Sequence, residues 1–224
     1  MKDYSGLQFA FMRTQPGVPL EPRKTPIQTR SADTVASISE ATIQVLLSVG
    51  LDRLTTTRVA DRAGVSVGTL YQYFPNKHSM LFAVLEQHLN RVADAVERAC
   101  RHNHGEQVST MVDAVVRAFV DAKMERADIS MALYAVATGR EEIALVRKVG
   151  QRAQRALTSM LSTASDAHFD DLALTSLLVF AAMGGAMRAI LEADAPPPPK
   201  TVRLVRQQLV LLCRGFLMSV AGQA

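Results

Sequence analysis

Residues 55–77 read TTTRVADRAGVSVGTLYQYFPNK, and the periodicity of this stretch decides the fold. Val59, Ala60 and Ala63 recur at helical spacing, so one stripe is buried while Arg58, Asp61 and Arg62 stay in water. Thr56 or Thr57 is expected to cap this first helix. Gly64 follows the last periodic residue, where a left-handed backbone stops a helix at little steric cost. Ser66 is a good N-cap for a second helix, and Leu70 and Phe74, four apart, give that helix a narrow buried stripe. Its opposite face carries Val67, Gly68, Thr69, Gln72 and Tyr73 with Tyr71 beside them. These are small, hydroxyl-bearing, amide and aromatic groups in place of a solvating run of Lys and Glu.

Two short helices about a tight turn suit the major groove of DNA, where the N-terminal residues of the second helix reach base edges. Thr69 can touch a thymine methyl, Gln72 can pair with adenine, and Tyr71 and Tyr73 can reach phosphates. Gly68 permits close approach of the backbone. Pro75 ends the helix, and Lys77 is placed to meet a phosphate as a point charge. A turn of this kind used only for protein packing would not need that outward face.

The block from about Thr34 to Gln87, with TTTRVADRAG, VSVGTLYQYFPNK and then LFAVLEQHL, resembles the N-terminal domain of the TetR/AcrR family of transcriptional regulators. The resemblance covers about a quarter of the chain. It implies that Val67, Gly68, Thr69, Tyr71, Gln72 and Tyr73 face DNA, that Lys77 touches the backbone, and that Thr56, Thr57 and Arg58 lie near a phosphate. It also implies a ligand-binding second domain and a four-helix dimer interface built from the last two long helices.

Outward from this block, Asp33 or Thr34 is expected to cap a first helix to about Val49, ended by Gly50, with Ile38, Ala41, Thr42, Val45, Leu46 and Val49 on one stripe. Leu51 and Leu54 plug the small core of a three-helix domain over residues 33–80. Residues 1–32 read as a flexible basic arm, because Pro16, Pro19, Pro22 and Pro26 prevent a stable helix. Arg23, Lys24 and Arg30 follow one another towards the fold. Arg30 lies closest to it and is the arm's candidate DNA contact, although a solvated leader without a contact fits the charge pattern equally. Residues 1–80 hold nine Lys and Arg against six Asp and Glu, so most of the formal net charge of +4 sits with the proposed reading head.

After Pro75 a longer helix, from about Lys77 to Cys100, repeats Leu81, Val84, Leu85, Leu89, Val92, Ala93 and Val96 at three and four, linking the two halves. Beyond the polar break around Gly105, residues 81–224 form a second domain whose patterns are all of helical length, at about 107–124, 128–138, 140–164, 169–193 and 200–221. The expected fold is therefore all-α: an N-terminal three-helix helix-turn-helix domain followed by a larger helical domain for effector binding and dimerisation. Soft, adaptable side chains there are the candidates to line a pocket: Met111, Phe119, Met131, Tyr134, Met160, Phe180, Met183 and Met187. Leu172 to Met187 carries no charge, so it must be buried on nearly all sides. A second subunit is the favoured cover, with Leu177, Phe180, Gly184 and Gly185 facing Val205, Leu209, Leu212 and Phe216 of the last helix. A two-fold dimer would set two recognition helices about 34 Å apart on a palindromic site.

With 48% apolar and 21% charged residues the chain is a core-forming protein. It shows neither a signal-peptide core nor a charge-free apolar run of about twenty residues, so a cytoplasmic protein without a membrane partner is expected. Cys100 and Cys213 form no metal-ligand pattern, His102 and His104 lack further ligands, and neither a metal nor another cofactor is expected. GxSxG, P-loop and HExxH patterns are absent, and no enzyme is expected. The sequence thus describes a homodimeric regulator that binds double-stranded operator DNA and is released by a small apolar or amphipathic effector, which makes it a repressor. The alternative is an architectural DNA-binding dimer without a ligand.

Overall fold

The computed structural model describes residues 29–193 and 195–222, with side chains from Ser31 onward. Nine helices follow one another among the described residues: α1 (Thr29–Arg53), α2 (Thr56–Ala63), α3 (Val67–Tyr73), α4 (Lys77–His102), α5 (Val108–Met124), α6 (Ala127–Val136), α7 (Arg140–Leu161), α8 (Leu172–Leu191) and α9 (Pro199–Val220). Of the arm expected over residues 1–32, residues 1–28 and the Arg30 side chain lie outside the described residues, and residues 29–32 belong to α1.

Helix α1 begins at Thr29, ahead of the caps expected at Asp33 or Thr34. The added turn has a partner, since the Ser31 hydroxyl donates to the Tyr73 phenol oxygen on α3 at 3.4 Å. Ile38, Ala41, Thr42, Val45 and Leu46 are buried, and the Thr42 hydroxyl is satisfied by the Ile38 carbonyl at 2.7 Å. Gly50, at φ 78° and ψ 171°, breaks the helix where the sequence places its end, and a last turn runs on to Arg53. That φ favours glycine, which has no Cβ to clash.

The cap of α2 is Thr55, one residue before the pair expected to provide it; its side chain accepts the Arg58 amide at 3.3 Å. A capping hydroxyl must bond the amide three residues on, and starting the helix at Thr56 gives that position to Thr55. Gly64 closes α2 in the left-handed conformation (φ 68°, ψ 30°), and Ser66 caps α3 by accepting the Thr69 amide at 2.9 Å. Leu54, Val59, Ala60, Leu70 and Phe74 then meet in a closed core. Asn76 and Ser79 cap α4 reciprocally, each side chain bonding the other's backbone N–H.

Helix α4 belongs to both halves. Its start packs on α1, and its length packs on α5, α6 and α7 through Leu81, Val84, Leu85, Val92, Ala93 and Val96. Arg152 of α7 fastens it from the polar side, with Nε 2.5 Å from Glu97 Oε1, Nη1 2.9 Å from Asn90 Oδ1, and Asp94 as a further partner. The His78 ring also meets the Glu142 carboxylate, joining the first turns of α4 and α7.

Helix α8 has a single charged residue, Arg188, in twenty residues, and by length and composition it could cross a membrane, as could Ser31–Arg53. Here α8 packs Val179, Met183, Met187 and Leu191 inward. Helix α9 differs from the expected stripe. Leu209, Cys213 and Leu217 are buried and Val202, Val205 and Phe216 pack partly on the same core, so the predicted interface stripe mostly faces α5 and α8 of its own chain. Arg214 Nη2 to Asp113 Oδ1 at 2.9 Å and an Arg206–Asp121 pair hold it there. The outer face shows Leu204, Leu211, Leu212 and Met218.

Phe74 closes the small core at 1% exposure, so Phe74→Ala is expected to destabilise the chain by about 3–5 kcal/mol. Urea unfolding followed by circular dichroism measures it; a loss under about 1 kcal/mol would mean that the reading head folds without this plug.

Candidate nucleic-acid interface and ligand cavity

The outer surface of α2 and α3 presents Thr57, Arg58, Gly68, Tyr71 and Gln72 to solvent, with Thr56, Val67, Thr69 and Tyr73 half-buried beside them. Val67 and Tyr73 also pack partly on the core, so they have less freedom than the sequence pattern suggests. Hydroxyls on this surface already hold one another: Thr56 Oγ1 and the Tyr71 hydroxyl are 3.2 Å apart, and Thr69 Oγ1 and Ser66 Oγ 2.9 Å. A hydroxyl pair of this kind keeps side chains in place without removing their remaining donor and acceptor capacity.

Two cations flank the surface. The broken end of α1 leaves backbone carbonyls free of intrahelical partners, and Lys77 Nζ donates to the Leu51 carbonyl at 2.8 Å while Arg58 Nη1 donates to the Arg53 carbonyl at 2.9 Å. Arg62 Nε donates to Gln44 Oε1 at 2.5 Å. The structure thus brings Thr56, Thr57, Arg58, Val67, Gly68, Thr69, Tyr71, Gln72, Tyr73 and Lys77 onto two adjoining helices and the turn after them.

In the second half, α4 to α8 surround a cavity of about 360 Å³. Leu85, Leu89, Val92, Ala93 and Val96 of α4 form one wall, and Ile143, Val146, Val149, Gly150 and Ala153 of α7 another. Phe119 and Phe180 meet edge to face there, with centroids 5.8 Å apart. Of the sequence candidates, Phe119, Tyr134 and Phe180 line the cavity. Met111, Met160, Met183 and Met187 are fully buried elsewhere as packed core, and Met131 is half-buried against that core. Gly184, expected between subunits, faces the cavity instead. Leu209, expected there too, is buried within its own chain.

The polar lining is His88, Lys123, Ser130, Tyr134 and Arg188, of which only Tyr134 was a sequence candidate. A signal existed for two of them. His88 falls on the buried stripe of α4, and Lys123 continues the apolar stripe Val116, Phe119, Val120 of α5. A polar residue on a core stripe marks a place where the core is not closed.

Ser130 donates its hydroxyl hydrogen to the Lys123 carbonyl at 2.7 Å, so the His88 Nε2 atom, 3.1 Å from the same oxygen, must be the donor in that contact. His88 Nδ1 is then a bare acceptor, buried without a partner. Burial first, then the charges of Lys123 and Arg91, pushes the His88 pKa down to about 3, so the ring is neutral. Desolvation lowers Lys123 to about 8 and raises the Tyr134 phenol. The Lys123 ammonium lies 5.3 Å from the Tyr134 ring centroid, and the Arg188 guanidinium carbon 5.9 Å. Among the described residues no group of three or more His, Cys, Asp or Glu could hold a metal ion.

A helix-turn-helix unit joined by one long helix to a helical domain with an internal cavity defines a class of bacterial regulators. The family model of bacterial regulatory proteins of the tetR family matches residues 38–84, and that of the tetracyclin repressor-like C-terminal domain matches residues 107–217, together more than half of the chain. The chain belongs to the TetR family. It is similar to the HTH-type transcriptional regulator BetI 1 of Chromohalobacter salexigens, 29% identical over 120 residues that cover 50% of this chain and 57% of that protein. It is also similar to the HTH-type transcriptional repressor KstR of Rhodococcus jostii, 29% identical over 116 residues, 51% of this chain and 55% of that one. The chain thus spans just over half the length of these relatives. The nucleoid occlusion factor SlmA of Haemophilus influenzae is 28% identical over 169 residues, 75% of this chain and 66% of its own. Among solved structures, a TetR-family transcriptional regulator of Mesorhizobium loti superposes with a TM-score of 0.68 at 18% identity, covering 87% of this chain and all of the other. A TetR transcription regulator of Haloarcula marismortui gives 0.67 at 17% identity, covering 85% and 100%. At these identities the two structures speak for the fold.

His88 supplies a pH signature. Its folded pKa lies below the ordinary 6.5, so the unfolded chain binds the extra proton and stability falls as pH drops from about 6.5 towards about 3, with no further loss from this group below that. The His88 ring resonances should stay flat in NMR from about pH 8 to pH 5, and His88→Gln should flatten part of the acid limb of a stability profile. A midpoint near 6.5 for that ring would show that it is not shielded as described.

Proposed function

We propose that this chain is a homodimeric, cytoplasmic DNA-binding transcriptional regulator without catalytic activity, a repressor released from a palindromic operator by a small apolar or amphipathic ligand. The observation that carries the reading is the path of α4. One helix forms a wall of the cavity through Leu85, Leu89, Val92 and Val96 and, about 12 Å from Leu85 at 1.5 Å per residue, starts at Lys77 beside the reading surface. Anything that fills the cavity and moves α4 must move α2 and α3. The coupling is reciprocal, so operator weakens effector binding by the same factor.

In this reading Thr69 and Gln72 contact bases, with Val67 and Gly68 allowing close approach, while Thr56, Thr57, Arg58, Tyr71, Tyr73 and Lys77 position the backbone. The second subunit covers the outer faces of α8 and α9. Leu174, Leu177 and Leu178 of α8 and Leu204, Leu211, Leu212 and Met218 of α9 are all more than 40% exposed, an apolar surface unusual for a lone chain. Around Gly185 and Gly215, both exposed, an added Cβ would meet nothing within 4 Å, which leaves room for another helix.

A ligand-independent architectural dimer is the second reading, favoured by the similarity to a protein named as a nucleoid occlusion factor. Selection of bound fragments from genomic DNA separates the two. A palindromic site is expected, bound more weakly by Thr69→Ala, and unrelated, salt-sensitive fragments alone would favour the architectural role. Lys77→Ala should weaken all DNA and lower the salt slope by about one unit. Leu212→Glu should give a monomer by sedimentation and lose operator affinity, and a variant that stays dimeric would remove α9 from the interface.

A further inference from the structure

The charge lining the cavity is of one sign. Among the described residues no Asp or Glu lines it, while Lys123 and Arg188 both do, at 5.3 Å and 5.9 Å from the Tyr134 ring centroid. The two cations are not equivalent. Arg188 gives its Nε to Glu192 Oε1 at 2.7 Å on the exposed side, so its charge is already shared, whereas Lys123 has the Tyr134 ring and no carboxylate beside it. His88, the other basic group in the lining, is held as a neutral donor to Ser130 and adds no charge. Apart from these groups, Ser130 and Tyr134, the lining carries no polar side chain, with Leu85, Val92, Phe119 and Val149 among its walls.

We propose that the effector selected by this cavity is an amphiphile with a single carboxylate head, seated against the Lys123 ammonium beside Tyr134, with its hydrocarbon tail among Leu85, Val92, Phe119 and Val149. The inference rests on the reading of the cavity as the effector site and names the ligand's chemistry. One negative charge matches one unshared ammonium in a poorly solvated corner, where such a contact is stronger than in water. A cationic head would face two like charges, and a dianionic head would leave one charge unmatched because Glu192 already occupies Arg188. A neutral head would leave Lys123 with only the face of an aromatic ring. A cavity of about 360 Å³ is at the small end of the roughly 300–1,000 Å³ usual for such sites, which favours a tail of medium length.

The test uses the full-length protein and three probes that share a ten-carbon chain: decanoate, decan-1-ol and decyltrimethylammonium, titrated calorimetrically below the micelle concentrations of the two ions and the solubility of the alcohol. Decanoate is expected to bind at least about tenfold more tightly than decan-1-ol, the size of a hydrogen bond to a charged group, and decyltrimethylammonium more weakly than either. In Lys123→Met the preference for decanoate over the alcohol should vanish while the alcohol still binds. In Lys123→Arg, which keeps the charge if the methionine variant does not fold, the preference should persist. Equal binding of acid and alcohol by the native protein, or a preference that survives Lys123→Met, overturns the carboxylate while leaving a ligand cavity in place. Failure of all three probes to bind overturns the carboxylate amphiphile and the effector-site reading together.

Discussion

The packing of α4 against both halves of the chain is the constraint on which the other features depend. Its inward stripe is almost continuous from Leu81 to Cys100, so the apolar surface that stabilises the second domain lies on the same rigid rod as the capped first turn, and that rod also packs on α1. A rod buried along one face cannot shift in small, independent increments, because close-packed side chains tolerate little mismatch. The Arg152 cluster adds direction. A guanidinium that bonds Glu97 through two nitrogens and Asn90 through a third is fixed in plane, and its bonds to Glu97 and then Asp94 hold its pKa above the usual range for arginine.

Where α4 and α7 line the cavity, several of their side chains are short. Ala93, Gly150 and Ala153 face it where larger residues would close it. The polar groups in its lining are spaced by backbone geometry, and the Ser130–His88 bond and the neutral imidazole follow from placing a histidine on a stripe otherwise made of Leu and Val.

The helix-turn-helix was legible because its signals are local. Gly64 at a left-handed turn, Ser66 as a cap, and Leu70 and Phe74 four apart need no partner further along the chain than a few residues, and the structure has each of them in that role. The one-residue difference at Thr55 comes from three successive threonines that periodicity cannot tell apart. The cavity was less legible. Met111, Met160, Met183 and Met187 have the same side chain whether they fill space or line it, and only the packing of five helices determines where space is left. Lys123 was the better indicator, because an ammonium on an apolar stripe has no place in a filled core. On α9 the stripe Val205, Leu209, Phe216 was real, but a helix with apolar residues on two faces offers two choices of interior, and the one used sets Arg206 and Arg214 against carboxylates of α5.

The break at Gly50 has an effect on the charged groups around it. The last carbonyls of a helix have no partner within it, and after this break Leu51 and Arg53 offer theirs to Lys77 and Arg58. Both side chains are thereby held extended at the edge of the reading surface before any polyanion arrives. A flexible lysine or arginine gives up about 2 kcal/mol of rotamer freedom when it is pinned, and in this protein much of that ordering belongs to folding. With one of its three ammonium hydrogens committed, Lys77 keeps two for an approaching anion. If this surface meets DNA as proposed, it does so with two cations already ordered, so that a wrong alignment gains little from side chains reaching out to rescue it.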